Sequence, residues 1–485
     1  MTAETILQEA PNELNQGGAP ALELSEIQGD VLLGLQKLYE RFVFFEIADV
    51  AGFKKALRKG LVGRLTTTTK VRAREVQLQD HNAQGQTEPL PLVGLNLGFT
   101  QSGIQKLAPG SDLGDPSFKA GAAAQAASLG DPNVAGTLTT WRPEFLAGNI
   151  DGVFLVAGGT QSAVDGEVAQ VLGLLGGSAS VRYDETGSVR PGSQKGHEHF
   201  GFQDGLSQPG ISGLTTPAPG QRLLDAGLFV FGYPGAPAPP APWMKNGSFM
   251  VFRRLNQQVP EFAQFIVDQS TSLRTDPGLL GARLVGRWQS GAPLALAPAQ
   301  DDALLASDPQ QNNNFDFSDD PGQRRCPFGA HIRKTNPRED LSPQNTAVDP
   351  RRIIRQGIPF GPEVSAAEDA AHATQQERGL MFVCYQSSIV NQFEFVQINW
   401  ANNPGFIFGK HHPDGSSVTP GHDPIIGQNS TAGENRARLM DEPLTNFPTG
   451  DVRSTLQMPQ DFVIPTGGAY FFVPSLSALE IDLSA

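Results

Sequence analysis

Four stretches of this 485-residue chain gather residue types suited to acid–base, metal and anion chemistry. His197–Gly210 (HEHFGFQDGLSQPG) sets Asp204 between Phe202 and Leu206, in a run broken by Gly201, Gly205 and Gly210. Such glycines suit tight turns or backbone pressed close to a ligand. A carboxylate among apolar neighbours is partly desolvated, which raises its pKa and suits proton shuttling; the plainer alternative is that Asp204 caps a turn. Arg324–Arg338 (RRCPFGAHIRKTNPR) places His331 after an apolar run and ahead of Arg333, Lys334 and Arg338. An imidazole on an apolar wall can ligate iron, with the flanking cations binding acidic groups of a cofactor; a histidine hydrogen-bonded in a core has the same surroundings. Among the other histidines, His197 and His199 are the serious rivals for a ligand role. Arg351–Gly361 (RRIIRQGIPFG) embeds Arg355 among isoleucines and a glycine, as a cation aimed into a pocket or as one end of a surface salt bridge. In Arg378–Tyr385 (RGLMFVCY), alternation puts Leu380 and Phe382 on one side of a strand, which alone signifies core packing.

The rest of the sequence must position these clusters. Phe42–Ile47, Leu90–Phe99, Gly152–Val156, Ser248–Leu255, Leu380–Tyr385, Phe393–Ile398 and Tyr470–Val473 read as strands. Ala163–Leu175 and the segment from Pro260 carry helical spacing. Strands and helices mixed through both halves predict α+β architecture with antiparallel sheets. The Pro/Ala stretch 233–247 suits neither a helix interior nor a central strand and marks a linker or surface loop. The division is therefore a loose arm over 1–24, a first domain over 25–232 and a second over 248–485.

Composition narrows the function classes. The 36 basic and 50 acidic residues give a net charge of −14, against a nucleic-acid or anionic-membrane binder. No apolar run reaches the ~18 residues of a membrane span. Cys326 and Cys384 are too few for a disulfide framework or a zinc cage, and read as two buried thiols or a single bridge. Walker, HExxH, G-x-S-x-G, CxxC and EF-hand signatures are all missing. No signal peptide is visible, while the sequons at Asn246 and Asn429 are compatible with secretion.

Together, GFQDG at 201–205, CPFGAHIRKTNPR at 326–338, RQGIPFGPE at 355–363 and GLMFVCY at 379–385 resemble the dye-decolorising haem peroxidases, in particular the larger fungal-type members. IQGD at 27–30 and GHDPIIGQ at 421–428 are similar to that group as well, in the family's order along the chain. The resemblance implies two ferredoxin-like domains of the dimeric α+β barrel type, holding haem b mainly in the C-terminal half. It implies His331 as the axial iron ligand, with Asp423 as the carboxylate behind it and Glu394 as the second choice. Arg338 and Arg333 are then expected at the haem propionates, with Leu380 and Phe382 limiting the space over the iron. Asp204 and Arg355 are the expected catalytic pair: Asp204 moves a proton of hydrogen peroxide and Arg355 steadies the charge that develops as the O–O bond breaks, giving an oxyferryl intermediate. Bulky aromatic donors, dyes and phenols, then give up single electrons. Trp400, flanked by asparagines, is expected to be partly exposed and to act as a surface electron-transfer site. A secreted monomer or homodimer is expected, with the cytoplasm as the alternative compartment. The competing functions are a haem-handling protein, which needs His331 but neither Asp204 nor Arg355, and an anion-binding module without haem.

Overall fold

The computed structural model describes residues 21–86, 88–341, 348–411, 415, 417–428, 438–442 and 454–485. The first half contributes strands β1 (Tyr39–Ile47), β2 (Val93–Phe99), β3 (Gly152–Gly158) and β4 (Ala179–Ser188), hydrogen-bonded antiparallel in the order β4-β1-β3-β2. Helices α1 (Thr68–Ala83) and α2 (Gln161–Leu175) fill its two crossovers. Val164, Val168, Val171 and Leu175 form the buried stripe of α2, which Thr160 caps by accepting from Ala163 N–H.

The second half repeats the plan with β5 (Ser248–Gln257), the short β6 (Ile354–Arg355) and β7 (Ile358–Phe360), β8 (Gly379–Gln386) and β9 (Val463–Val473). Helices α3 (Val259–Leu273) and α4 (Pro277–Val285) follow β5, and the order is β7-β8-β5-β9. Each half is thus a ferredoxin-like β-α-β-β-α-β unit in its strand order.

The two sheets close on one another through Phe360↔Gly187 on one side and Phe472↔Phe99 on the other. Closure removes the long sheet edges, leaving the outer edge of short β6 without a strand partner, and makes a barrel with an apolar interior. Phe44 lies at its centre, with ring centroids 5.0–6.1 Å from those of Phe145, Tyr183, Phe252 and Phe471. Arg254 reinforces the first seam: its guanidinium pairs with Glu185 of β4 at 2.7 Å and lies 4.3 Å from the Phe360 ring centroid.

Three expectations change. Phe393–Ile398 is no strand; it lies within consecutive π-helical turns, Val390–Glu394 and Val396–Ala401. Its short apolar run fits either element, and Phe393 and Val396, three apart, turn to the same cavity. The expected arm falls mostly outside the described residues, but Leu22 and Leu24 pack on the core and Glu23 N–H donates to Tyr233 Oη at 3.0 Å. The Asn246 side chain is buried and bound to Tyr233 and Glu23, leaving no room for a glycan; Asn429 lies outside the described residues. Both cysteines are free and buried. Among the described residues no helix is long and apolar enough to cross a membrane.

The central ring cluster generates the first prediction. Phe44→Ala should lower the unfolding free energy by about 3–5 kcal/mol, read as a reduced midpoint in urea.

Candidate active site

Beside the barrel, a cavity opens between β8, α4, the short helix α5 (His331–Thr335), the π-helical turns and the loop around residues 198–207. Strand alternation splits β8 between two environments. Met381, Val383 and Tyr385 are buried in the barrel core, while Leu380 and Phe382 line the cavity. Phe202, Leu255, Val285 and Ile425 extend its apolar walls.

His331, at the start of α5, faces this space. Its Nδ1 is 2.8 Å from Asp423 Oδ2, which leaves Nε2 as the ring nitrogen available to a metal. The Asp423 carboxylate is fully buried and its other oxygen accepts from Ile425 N–H (2.8 Å) and Ile426 N–H (3.0 Å). Burial opposes the charged imidazolium, but the charge and hydrogen bond of Asp423 outweigh it and raise the His331 pKa. Asp423 is correspondingly lowered: burial acts upward on it and His331 outweighs that.

Another wall carries Asp204 and Arg355. Arg355 Nη1 donates to Asp204 Oδ1 at 3.1 Å, and the same oxygen accepts from Gly205 N–H at 2.6 Å. Gly205 has φ +79°, the left-handed backbone that the turn requires. Both readings of Asp204 therefore hold: it caps a turn and it faces the cavity. It is not desolvated as expected, because 41% of its side chain is exposed beside Arg355.

Arg287, Arg338 and Arg352 also line the cavity, and among the described residues none of them forms an ion pair with a carboxylate. They donate instead to neutral oxygens, Arg287 to Gly291 O, Arg338 to Asn313 Oδ1 and Arg352 to Asn336 Oδ1. Burial first, and then neighbouring guanidiniums, pulls each of the three pKa values down to about 10. Clustered cations beside apolar walls and a histidine with one free nitrogen fit a flat apolar group with an anionic edge and a metal centre.

Two family models match the chain: the DyP dimeric alpha+beta barrel domain over residues 26–191, and the Dyp-type peroxidase C-terminal domain over 233–406. The dye-decolorizing peroxidase of Exidia glandulosa is 45% identical, over 97% of this chain and 89% of its own. Peroxidase 2 of Mycetinis scorodonius is 42% identical, over 99% and 92%. The solved structure of an ancestral D-type dye-decolorizing peroxidase superposes with a TM-score of 0.87 at 45% identity, covering 96% of this chain and all of that one. The chain belongs to the dye-decolorising peroxidase family. It is an oxidoreductase, haem-dependent as its family is.

Within this peroxidase the structure brings His331, Asp423, Asp204, Arg355, Arg338, Leu380 and Phe382 to one place. It does not bring Arg333 there. The Arg333 guanidinium is wholly buried and taken up by Asp320 (3.0 Å) and Asp340 (2.6 Å), with Phe317 and Phe328 packed on it. Glu394 accepts from Ser117 and Tyr470 and does not serve His331. Trp400 is 3% exposed and stacked on Phe406 at 5.2 Å, so the expected partial exposure does not hold and the ring offers no surface to a bulky donor. Of its asparagine neighbours, Asn399 is exposed on the π-helical turn just before it, and Asn402 and Asn403 follow, Asn402 donating to Leu129 O.

Sequence reasoning passed over Arg287 and Arg352. Arg352 lies in the Arg355 cluster and had the signal of flanking isoleucines; Arg287 had none. Glu198 also lines the cavity, but its carboxylate accepts from Phe200 and Phe202 N–H and serves the loop.

Of the rival histidines, His197 is hydrogen-bonded near Lys195 and His199 is buried, its Nε2 2.9 Å from Phe360 O. Burial and nearby Arg190 pull the His199 pKa from 6.5 down to about 4. Between those values the unfolded chain binds a proton that the folded chain refuses, so stability falls as pH drops from about 6.5 to about 4. His199→Gln removes this dependence. Its stability deficit against the parent, measured by urea unfolding, should shrink from pH 7 to pH 4.5.

Proposed function

We propose that the cavity holds haem b, that His331 Nε2 would ligate its iron, and that hydrogen peroxide is the oxidant. When bound, the haem supplies the redox chemistry, taking two electrons' worth of oxidation from peroxide and drawing them singly from aromatic donors. Asp423 fixes the His331 tautomer by accepting the Nδ1 proton, and its charge raises the basicity of the imidazole. Arg338, with Arg352 and Arg287, would hold the propionates, which supply the negative charge that these three cations lack.

On the other wall, Asp204 takes a proton from peroxide and hands it to the departing oxygen. Arg355 steadies the negative charge on that oxygen. Their 3.1 Å contact holds the carboxylate and the guanidinium at a common point on that wall. Leu380 and Phe382 narrow the space around that point, excluding bulk water and large donors alike. The observation that carries the reading is the convergence in one cavity of a histidine backed by a buried carboxylate and a carboxylate–guanidinium pair. A haem carrier has use for the first and none for the second. For substrate class, a solved relative 41% identical, with a TM-score of 0.82, was determined in complex with 2,6-dimethoxyphenol. This supports small phenols as well as dyes as donors.

Absorption spectroscopy and stopped-flow mixing with peroxide test the assignment. His331→Ala should lose the Soret signature of histidine-ligated haem; an unchanged spectrum means that another residue binds the iron. Arg355→Leu should slow the reaction with peroxide by about 10²–10³-fold at every pH. Asp204→Asn should slow it by about 10²–10⁴-fold, with the loss fading at alkaline pH where peroxide arrives deprotonated. Parental rates in both variants would place the peroxide site elsewhere.

A further inference from the structure

Arg355 lies on a strand of only two residues. One edge of β6 pairs with β8, Ile354 opposite Tyr385 and Arg355 opposite Cys384. The next residue continues this pairing, since Gln356 N–H donates to Val383 O at 2.8 Å. The peptide groups of Arg355 itself point the other way, where no strand follows. An exposed strand edge with no partner leaves a donor and an acceptor free, and the side chain above it without a fixed base.

The Gln208 side chain occupies that edge. Its Oε1 accepts from Arg355 N–H at 3.2 Å and its Nε2 donates to Arg355 O at 2.5 Å. A carboxamide carries the same donor and acceptor as a peptide unit, so this contact is a one-residue imitation of a β-bridge. Gln208 is itself anchored. Its carbonyl accepts from Gln221 Nε2 at 3.1 Å, Pro209 fixes the next φ, and Gly210 and Ile211 pair with Leu223 and Leu224. Gln208 also lies four residues after Asp204 on the same loop.

We propose that Gln208 is a positioning residue for peroxide activation: it ties the main chain of Arg355 to the loop that carries Asp204, setting the two side chains at their working separation. Without the bridge, the peptide planes flanking Arg355 are held to β8 from one edge only and can tilt about it, carrying the guanidinium with them. The contact is neutral and half-buried, so its loss strands no charge and leaves the fold standing. Lys37 holds the following carbonyl, with Nζ 2.7 Å from Gln356 O, but it is paired with buried Glu40 and its removal would destabilise the protein for that reason alone. Gln208 is therefore the clean probe.

The inference rests on the placement of Arg355 on the peroxide-facing wall, and a double-mutant cycle separates the two claims. The readout is equilibrium binding of cyanide to the ferric holoprotein, titrated spectroscopically, because an anionic ligand at the peroxide position senses the Arg355 charge without turnover. Gln208→Leu should raise the cyanide Kd about tenfold, as expected for a charge displaced by a fraction of an ångström to an ångström. Added to Arg355→Leu, it should change nothing further. If Arg355→Leu alone leaves the Kd unaltered, the placement of Arg355 fails. If Arg355→Leu weakens binding while Gln208→Leu does not, or if the two losses multiply in full, the placement stands and the role of Gln208 is overturned. Should Gln208→Leu fail to load haem, Gln208→Met removes both hydrogen bonds with a side chain of similar length and no charge, and is judged by the same outcomes.

Discussion

Strand β8 has to satisfy two environments at once, and the rest of the molecule is arranged around that demand. Its odd-numbered residues, Met381, Val383 and Tyr385, complete the apolar interior of the barrel, and its even-numbered ones, Leu380 and Phe382, form a wall of the cavity. A slip of one residue in register would exchange the two sets and destroy both. Pairing on both sides prevents the slip: eight residues of β5 lie opposite β8 along one edge, and β6 and β7 share the other. Barrel closure therefore does more than hide sheet edges. It fixes the height of the cavity wall, and through β6 it fixes where Arg355 enters.

The charge distribution follows from the same geometry. Three guanidiniums that line the cavity would be poor contributors to stability, each held below its usual pKa by burial and by neighbouring guanidiniums. Buried cations with neutral partners cost free energy unless an anion joins them. Arg333 is the internal control. More deeply buried than Arg338 or Arg352, it is met by two aspartates, and its pKa is raised: burial lowers it and Asp340 more than compensates. The chain thus spends carboxylates on the arginine that holds the fold and withholds them from the arginines facing the cavity. That difference separates a structural from a ligand-binding cation here, although all four are buried or nearly so.

The same difference explains what could be read in the sequence. Strands with both faces buried, such as the run through Phe42–Ile47, are legible because β-rich apolar stretches bounded by polar ends have few other solutions. The run at 393–398 is similarly rich in Phe, Val and Ile and folds as helix, with Phe393 and Val396 facing the cavity together. Local sequence does not distinguish Arg333 from Arg338, since both follow His331 at short range. The distinction lies in Asp320 and Asp340, brought beside Arg333 by the folded chain. Asp423, 92 residues from His331, was legible only through resemblance to a family, as no spacing rule spans that distance. Trp400 misleads for the opposite reason: polar neighbours suggest exposure, and Asn399 is indeed exposed, but the Trp400 ring turns inward onto Phe406.

Apolar packing alone cannot set the register between the two halves, because it is non-directional and each seam of the barrel offers a single bridged residue pair. Directional contacts are placed at this boundary. Asp30, in the IQGD segment near the start of the described chain, accepts from Leu35 N–H at 2.9 Å and from the buried Tyr385 hydroxyl of β8 at 2.6 Å. Lys37 bridges Glu40 of β1 and the carbonyl of Gln356 beside β6. Burying these groups costs desolvation that an apolar cluster of the same volume would avoid, and a buried ion pair is weak evidence for stability. Their value here is angular. They join the first ferredoxin-like unit to the strand region that carries Arg355, so the position of a side chain in the second half is set by residues of the first. Two units that could each form their own sheet are thereby held in the one arrangement that leaves His331, Asp204 and Arg355 around a common space.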